Sequence, residues 1–92
     1  MKFIIEKSFD KDVDGLPKNI QLSILNFIKA IEAAHQISDL TQIKKLKTNK
    51  KDQRECYRHK IGNYRLGFIL EHNTTVRLVI VGHRKNIYKN FP

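Results

Sequence analysis

An α+β domain is predicted by three features: an apolar stripe at helical spacing, a two-residue turn between alternating strands, and a run apolar on both sides. The stripe is Ile20, Ile24, Phe27, Ile28 and Ile31, with Leu16 extending it. The turn is Gly62-Asn63, and the run is Arg77-Leu78-Val79-Ile80-Val81. A strand with no polar face belongs in the middle of a sheet, covered on both sides. The expected architecture is two N-terminal helices packed on a largely antiparallel sheet, in the order β-α-α-β-β-β. With 92 residues there is room for one core, so residues 1–92 are expected to form one domain.

Taken in order, residues 2–6 read as a short strand carrying Phe3 and Ile5. Ser8 is placed to cap a brief helical turn through Val13, with Gly15 ending it. Pro17 suits the first position of the main helix, because its missing N–H has no helical partner there. Ser38-Asp39 then predicts the cap of a second, shorter helix bearing Leu40, Ile43 and Leu46. His35 falls near the end of the main helix, where a terminal role suits it. His72-Asn73-Thr74 is a turn before the apolar run, and the tail after it, residues 82–92, is short and carries Phe91 near its end.

The hairpin is the most informative stretch. Gly62 tolerates the positive φ that a primed turn needs, and a two-residue loop pairs Ile61 with Tyr64, Lys60 with Arg65, His59 with Leu66 and Arg58 with Gly67. Alternation puts Tyr57, His59, Ile61, Tyr64, Leu66 and Phe68 on one face, and Arg58, Lys60, Arg65 and Gly67 on the other. Like charges directly opposite each other destabilise a sheet. Cations concentrated in this way point to a bound anion, and phosphate fits best. Glu71 is the alternative, structural partner for Arg65.

The charge of the whole chain is +9, and it is lopsided. Residues 1–43 carry five Lys/Arg against six Asp/Glu, whereas residues 44–92 carry thirteen against three. Lys44, Lys45, Lys47, Lys50, Lys51 and Arg54 lead into the hairpin cations, and form a candidate RNA-binding segment that would hold backbone phosphate without reading sequence. An acidic protein partner suits the same surface. An anionic membrane suits it less, since the segment has no amphipathic helical stripe of large apolar residues. No apolar run approaches the ~20 residues of a membrane span, and the N-terminus does not read as a signal peptide. Cys56 is the one cysteine, so no intrachain disulfide can form, and a reducing cytoplasm is the expected setting. The Cys/His spacing suggests no metal site, and no cofactor is expected.

The segments Tyr57-Arg58-His59-Lys60-Ile61-Gly62-Asn63-Tyr64-Arg65-Leu66 and Val81-Gly82-His83-Arg84-Lys85-Asn86-Ile87-Tyr88-Lys89-Asn90-Phe91-Pro92, in this order of elements, resemble the RelE/ParE toxin superfamily over essentially the whole chain. The second is similar to the ending His-Arg-Lys-x-Ile-Tyr-x-x-Phe-Pro of RelE-type members. The resemblance implies a toxin of a type II toxin–antitoxin pair, an endoribonuclease that cleaves translated mRNA in the ribosomal A site, with mRNA, the ribosome and its rRNA, and a cognate antitoxin as partners. The ParE branch of the same fold poisons DNA gyrase instead, which makes gyrase the alternative partner. A toxin fold that has lost activity and only binds is a third possibility.

What the resemblance implies for individual residues is a catalytic set. Arg58 and Lys60 match the two basic residues before the hairpin turn, and Arg65 matches the central arginine after it. Arg84 matches an arginine beyond the last strand and Tyr88 the C-terminal tyrosine, although the spacing between these two is shorter than in the best-known RelE. His83 stands where some relatives carry lysine. Metal-independent RNA cleavage needs the 2′-OH deprotonated, the phosphorane's added charge stabilised and the 5′-oxygen protonated. Arg58 and Arg65 offer the fork that suits nonbridging oxygens. Crowding by them disfavours the charged form of Lys60 and suits it to proton transfer, while surrounding cations favour the phenolate of Tyr88 as a base. Arg84 would stabilise the leaving side, with His83 as the competing general acid.

Overall fold

The computed structural model describes the backbone of residues 1–92 and every side chain except those of residues 88–90. The expected role of Tyr88 therefore lies outside the described residues. The elements follow as β1 (Lys2–Ile5), α1 (Lys7–Asp14), α2 (Lys18–Ala33), β2 (Ile43–Lys45), β3 (Glu55–Ile61), β4 (Tyr64–Glu71), β5 (Thr75–His83) and α3 (Arg84–Asn90). One five-stranded sheet has the order β1-β5-β4-β3-β2. Three neighbouring pairs are antiparallel, and β1 runs parallel to β5. The α+β expectation of helices on a largely antiparallel sheet holds.

Helix α2 forms from its stripe: Ile20, Ile24, Phe27 and Ile31 are buried, and Leu16 and Ile28 pack beside them. They meet Tyr57, Ile61, Leu66, Phe68, Leu70, Val76, Leu78 and Val81, the inward residues of β3, β4 and β5. Each large apolar side chain buried here contributes about 1.5–3 kcal/mol against an exposed reference. Strand β5 is covered on both faces, as its apolar run predicts. A bulge opposite Gly67/Phe68 pairs Gly67 with Ile80 and Phe68 with Leu78. The extra residue lets Leu78 and Val81 both reach the helix-side core while Val79 and Ile80 pack on the other face.

Several local expectations need correction. Ser38-Asp39 does not open a second helix. The Asp39 carboxylate instead accepts from the backbone N–H of His35 and Gln36, closing a single 3-10 turn, Ile37–Asp39. Gln42 then takes φ 57, in the left-handed region, which no helix continues through. Leu40 enters the core, and Ile43 lies on the edge strand β2, paired with His59. A spacing of three residues in so short a stretch cannot tell a helix from a turn followed by a strand.

At the N-terminal end, Glu6 rather than Ser8 stands at the start of α1, and Pro17 sits one residue before α2 instead of inside it. Gly15 does end α1, but at φ -88, with no left-handed turn. Phe3 packs on the core while Ile5 stays 44% exposed, because β1 is an edge strand. Strand β1 pairs with only the first part of β5, and α1 covers the edge beyond it. There Glu6 N donates to Leu78 O (3.0 Å), Ser8 Oγ donates to Val79 O (2.7 Å) and Val81 N donates to Asp12 Oδ2 (3.2 Å). Ser8 thus serves the sheet edge, where bare backbone groups otherwise go unpaired.

The tail folds as α3 and lies on the sheet face opposite α2. Ile87 and Phe91 join Cys56 in a second apolar cluster with Leu46, Ile69, Val79 and Ile80 beside it. Among the described residues, no helix is long and apolar enough to cross a membrane.

Candidate nucleic-acid interface

The hairpin has the expected register. Gly62 takes φ 55 at the turn, and Ile61↔Tyr64, Lys60↔Arg65, His59↔Leu66 and Arg58↔Gly67 are partners. Arg58, Lys60 and Arg65 therefore project from one face, as alternation demands. The edge strand adds a cation that the hairpin alone does not reveal, because Lys44 is paired with Arg58. Lys44, Arg58, Lys60 and Arg65 line one cleft of about 290 Å³, together with Gln42 and Ile43. Among the described residues, no acidic side chain lines it.

The scaffold under the cleft is firm. His59, between Arg58 and Lys60, points inward and stacks on Phe27, with ring centroids 3.7 Å apart and planes 10° from parallel. Its Nδ1 donates to Thr41 O at 3.1 Å. Lys60 N donates to Gln42 O at 2.9 Å, and Leu46 N to Cys56 O at 2.8 Å. These bonds hold the short strand β2 against β3 and so place Lys44 beside Arg58. Burial pushes the His59 pKa below its ordinary 6.5 and outweighs the Thr41 carbonyl, which acts the other way.

Arg65 is held from behind. Its Nη1 donates to Gly62 O at 2.7 Å and to Tyr64 O at 2.9 Å, which leaves Nε and Nη2 for an incoming anion. The possible partner Glu71 is taken by Arg77, which also binds Glu6, at 3.1 Å and 2.8 Å. No carboxylate bridges Arg65 among the described residues.

Gly67 has a different use from leaving a gap among cations. A Cβ there would stand 2.7 Å from Phe91 Cδ2 and 2.8 Å from Ile80 Cγ2. The missing side chain lets the Phe91 ring lie against the sheet beside the cleft. Tyr57, Phe68 and Phe91 are buried and Tyr64 packs on the core, so these aromatic residues are spent on packing.

His83 and Arg84 do not line the cleft. His83 is paired with Tyr64, edge to face with centroids 5.7 Å apart, and its Nδ1 accepts from Lys85 N at 3.2 Å. Arg84 N donates to Asn63 O at 2.8 Å, which ties the start of α3 to the hairpin turn. The basic segment before the hairpin is divided. Lys45 bridges Glu55 at 3.4 Å, and Arg54 binds Asp52 at 2.7 Å, a contact that holds the Asp52 pKa down to about 2. Lys47, Lys50 and Lys51 are exposed in the loop between β2 and β3, while Lys44 alone of the six reaches the cleft. Gln42 is a cleft residue that sequence reading missed, since only the chain reversal at φ 57 brings it there. Cys56 is fully buried, and burial raises its thiol pKa, so it is a packing residue.

Comparison with known proteins follows the same lines. Residues 3–88 match the family model described as ParE toxin of type II toxin-antitoxin system, parDE. The chain is 33% identical to Toxin RelE3 of Methanocaldococcus jannaschii, over 100% of both. It is similar to a chain in the crystal structure of the RelB-RelE antitoxin-toxin complex from Methanococcus jannaschii, with TM-score 0.75 and 32% identity, covering 97% of this chain and 99% of that one. A chain of the archaeal RelE-RelB complex from Pyrococcus horikoshii OT3 shares the fold, with TM-score 0.72 and 20% identity, covering 92% and 96%.

Proposed function

The chain belongs to the RelE/ParE superfamily of type II toxin–antitoxin toxins, and on that premise we propose that it is an endoribonuclease cutting translated mRNA at the ribosome. The observation that carries this reading is the cleft in which Lys44, Arg58, Lys60 and Arg65 converge without a carboxylate among its lining. Such a cluster costs folding energy unless an anion neutralises it.

In the proposed reaction the 2′-oxygen attacks the adjacent phosphorus while a base takes its proton. The P–O5′ bond then breaks, leaving a 2′,3′-cyclic phosphate and a 5′-OH. Arg65, oriented by the two carbonyls behind it, binds a nonbridging oxygen and gains strength as charge builds in the phosphorane. Arg58 supplies a second fork. Lys60 and Tyr88 are the candidates for moving the 2′ proton. Arg84 stabilises the leaving oxygen, and His83 competes as its proton donor in its doubly protonated form, in which Nδ1 gives up the bond from the Lys85 amide. Lys47, Lys50 and Lys51 steer the polyanion toward the cleft.

A cognate antitoxin of acidic or amphipathic character is the proposed protein partner, in keeping with the relatives crystallised as RelB-RelE complexes. Transcript ends mapped by primer extension after induction test the enzymatic reading. Fresh 5′ ends within translated frames, absent from an Arg65→Ala strain, are expected. Growth arrest with intact transcripts and relaxed DNA would move gyrase inhibition to first place.

A further inference from the structure

We propose that the cleft grips two successive phosphates of one RNA strand, with the scissile phosphate on Lys60 and Arg65 and a flanking one on Lys44 and Arg58. The choice of reacting phosphate rests on the cleavage reading, while the two positions rest on register. On the exposed face of the sheet, one row across the strands reads Lys44, Arg58, Gly67, Ile80. The next row reads Gln42, Lys60, Arg65, Gly82, with Gln42 joined through the bond from Lys60 N to its carbonyl. Each row holds one pair of cations directly opposite each other, and the pairs are offset by one strand.

Two pairs need two anions. A phosphodiester carries a single negative charge against the four cations of this cluster, and a single phosphate cannot sit on both rows at once, so a second phosphate adds neutralisation that the first cannot supply. The rows lie two residues apart, about 6.6 Å along the strand, and the offset adds about 4.8 Å across it. Neighbouring phosphates of an extended strand span such a step once long cationic side chains lean toward them. The cleft, about 290 Å³, has room for roughly ten water molecules and so for more than one phosphate group.

The neutral ends of the two rows set the path. Beyond Arg58, the way over Gly67 is filled by the Phe91 ring and Ile80. Beyond Arg65, a Cβ at Gly82 would meet nothing within 4 Å among the described residues. A strand entering over Lys44 therefore runs diagonally across the hairpin and leaves over Gly82, toward the start of α3. Lys44 becomes a substrate-positioning residue, with a duty separate from that of the loop lysines.

The test uses ribosomes programmed with mRNAs in which one linkage at a time is a neutral methylphosphonate, cleaved under single turnover by the parent chain and by Lys44→Ala. Neutralising one flanking linkage should slow the parent about tenfold, the size of one charge-assisted contact. Lys44→Ala should lose a similar factor on unmodified mRNA and nothing more when that linkage is already neutral. Losses that multiply at both flanking linkages would overturn the proposal. A second arm measures binding of an oligonucleotide with a 2′-deoxy sugar at the cut site, where no chemistry can occur. Coupling between Lys44 and one linkage in that arm, with no cleavage by the parent, would uphold the two-phosphate grip and sink the nuclease reading. Cleavage by the parent without coupling in either arm would do the reverse.

Discussion

On the helix side of the hairpin, Tyr57, Ile61, Leu66 and Phe68 are buried beneath α2, and their neighbours on the other side, Arg58, Lys60 and Arg65, surround an open cleft. The two sets alternate along the same strands, so backbone geometry and local propensity are shared. Only what lies above each face differs. The inner face is stabilised by removing apolar area from water, while the outer face sets like charges opposite one another, an arrangement that a bound anion would relieve. The outer face is itself divided: Phe91 seals the Gly67 end, and cations occupy the rest. A sheet that keeps one face for cohesion can spend the other on charge.

The sharpest way to break that division is to remove a side chain from each face of β4. Phe68→Ala empties a fully buried site and should cost about 3–5 kcal/mol in denaturant unfolding. Arg65→Ala should leave the unfolding midpoint near that of the parent and lower the single-turnover cleavage rate about a hundredfold or more. If Arg65→Ala unfolds the chain, or cleaves at the parental rate, the outer face is structural after all. Tyr88→Phe, which deletes only a hydroxyl, tests its assignment as base in the same assay.

Gly67→Ala probes the border between the two outer regions. Its methyl group meets the Phe91 ring and Ile80, so an overpacking loss of about 1–3 kcal/mol is expected. Adding Phe91→Ala should remove part of that loss. An additive result in the double variant would show that Phe91 does not rest on Gly67.

His59 links the faces, because its ring supports β2 from inside. Its pKa is depressed by burial, so the fold favours the neutral ring. The resulting stability is fully present above pH 6.5 and is lost as pH falls through the lower folded value. Thermal unfolding from pH 7.5 downward should therefore show an acid-side loss that His59→Phe, which keeps the stack on Phe27, does not share. Equal slopes for the two chains would remove His59 from this role.

The smallest effect belongs to the loop. Lys50→Ala and Lys51→Ala should each reduce the salt dependence of RNA affinity by about one contact's share and leave the cleavage rate at saturation unchanged. A fall in that saturated rate would place these lysines at the reacting phosphate.

Local chemistry was enough for the hairpin. Gly62 admits the positive φ of the turn, a two-residue loop leaves one register, and alternation then assigns every side chain from Tyr57 to Phe68 to a face. The stripe on α2 was equally plain, since helical spacing needs no partner to be recognised. That Arg58, Lys60 and Arg65 share the outer face was legible for the same reason. Contacts between distant segments decided the rest. Residues 40–46 carry apolar positions that suit a helix or a strand, and only β3, with its open edge and the His59 bond to Thr41, selects β2 and brings Lys44 and Gln42 to the cleft. The seat of Phe91 on Gly67 joins residues that are 24 apart in the chain. The bulge at Val79 meets the demands of two cores on one strand. Periodicity reports which side of its own element a residue occupies, and which surface comes to cover that side is settled by the closing of the whole chain.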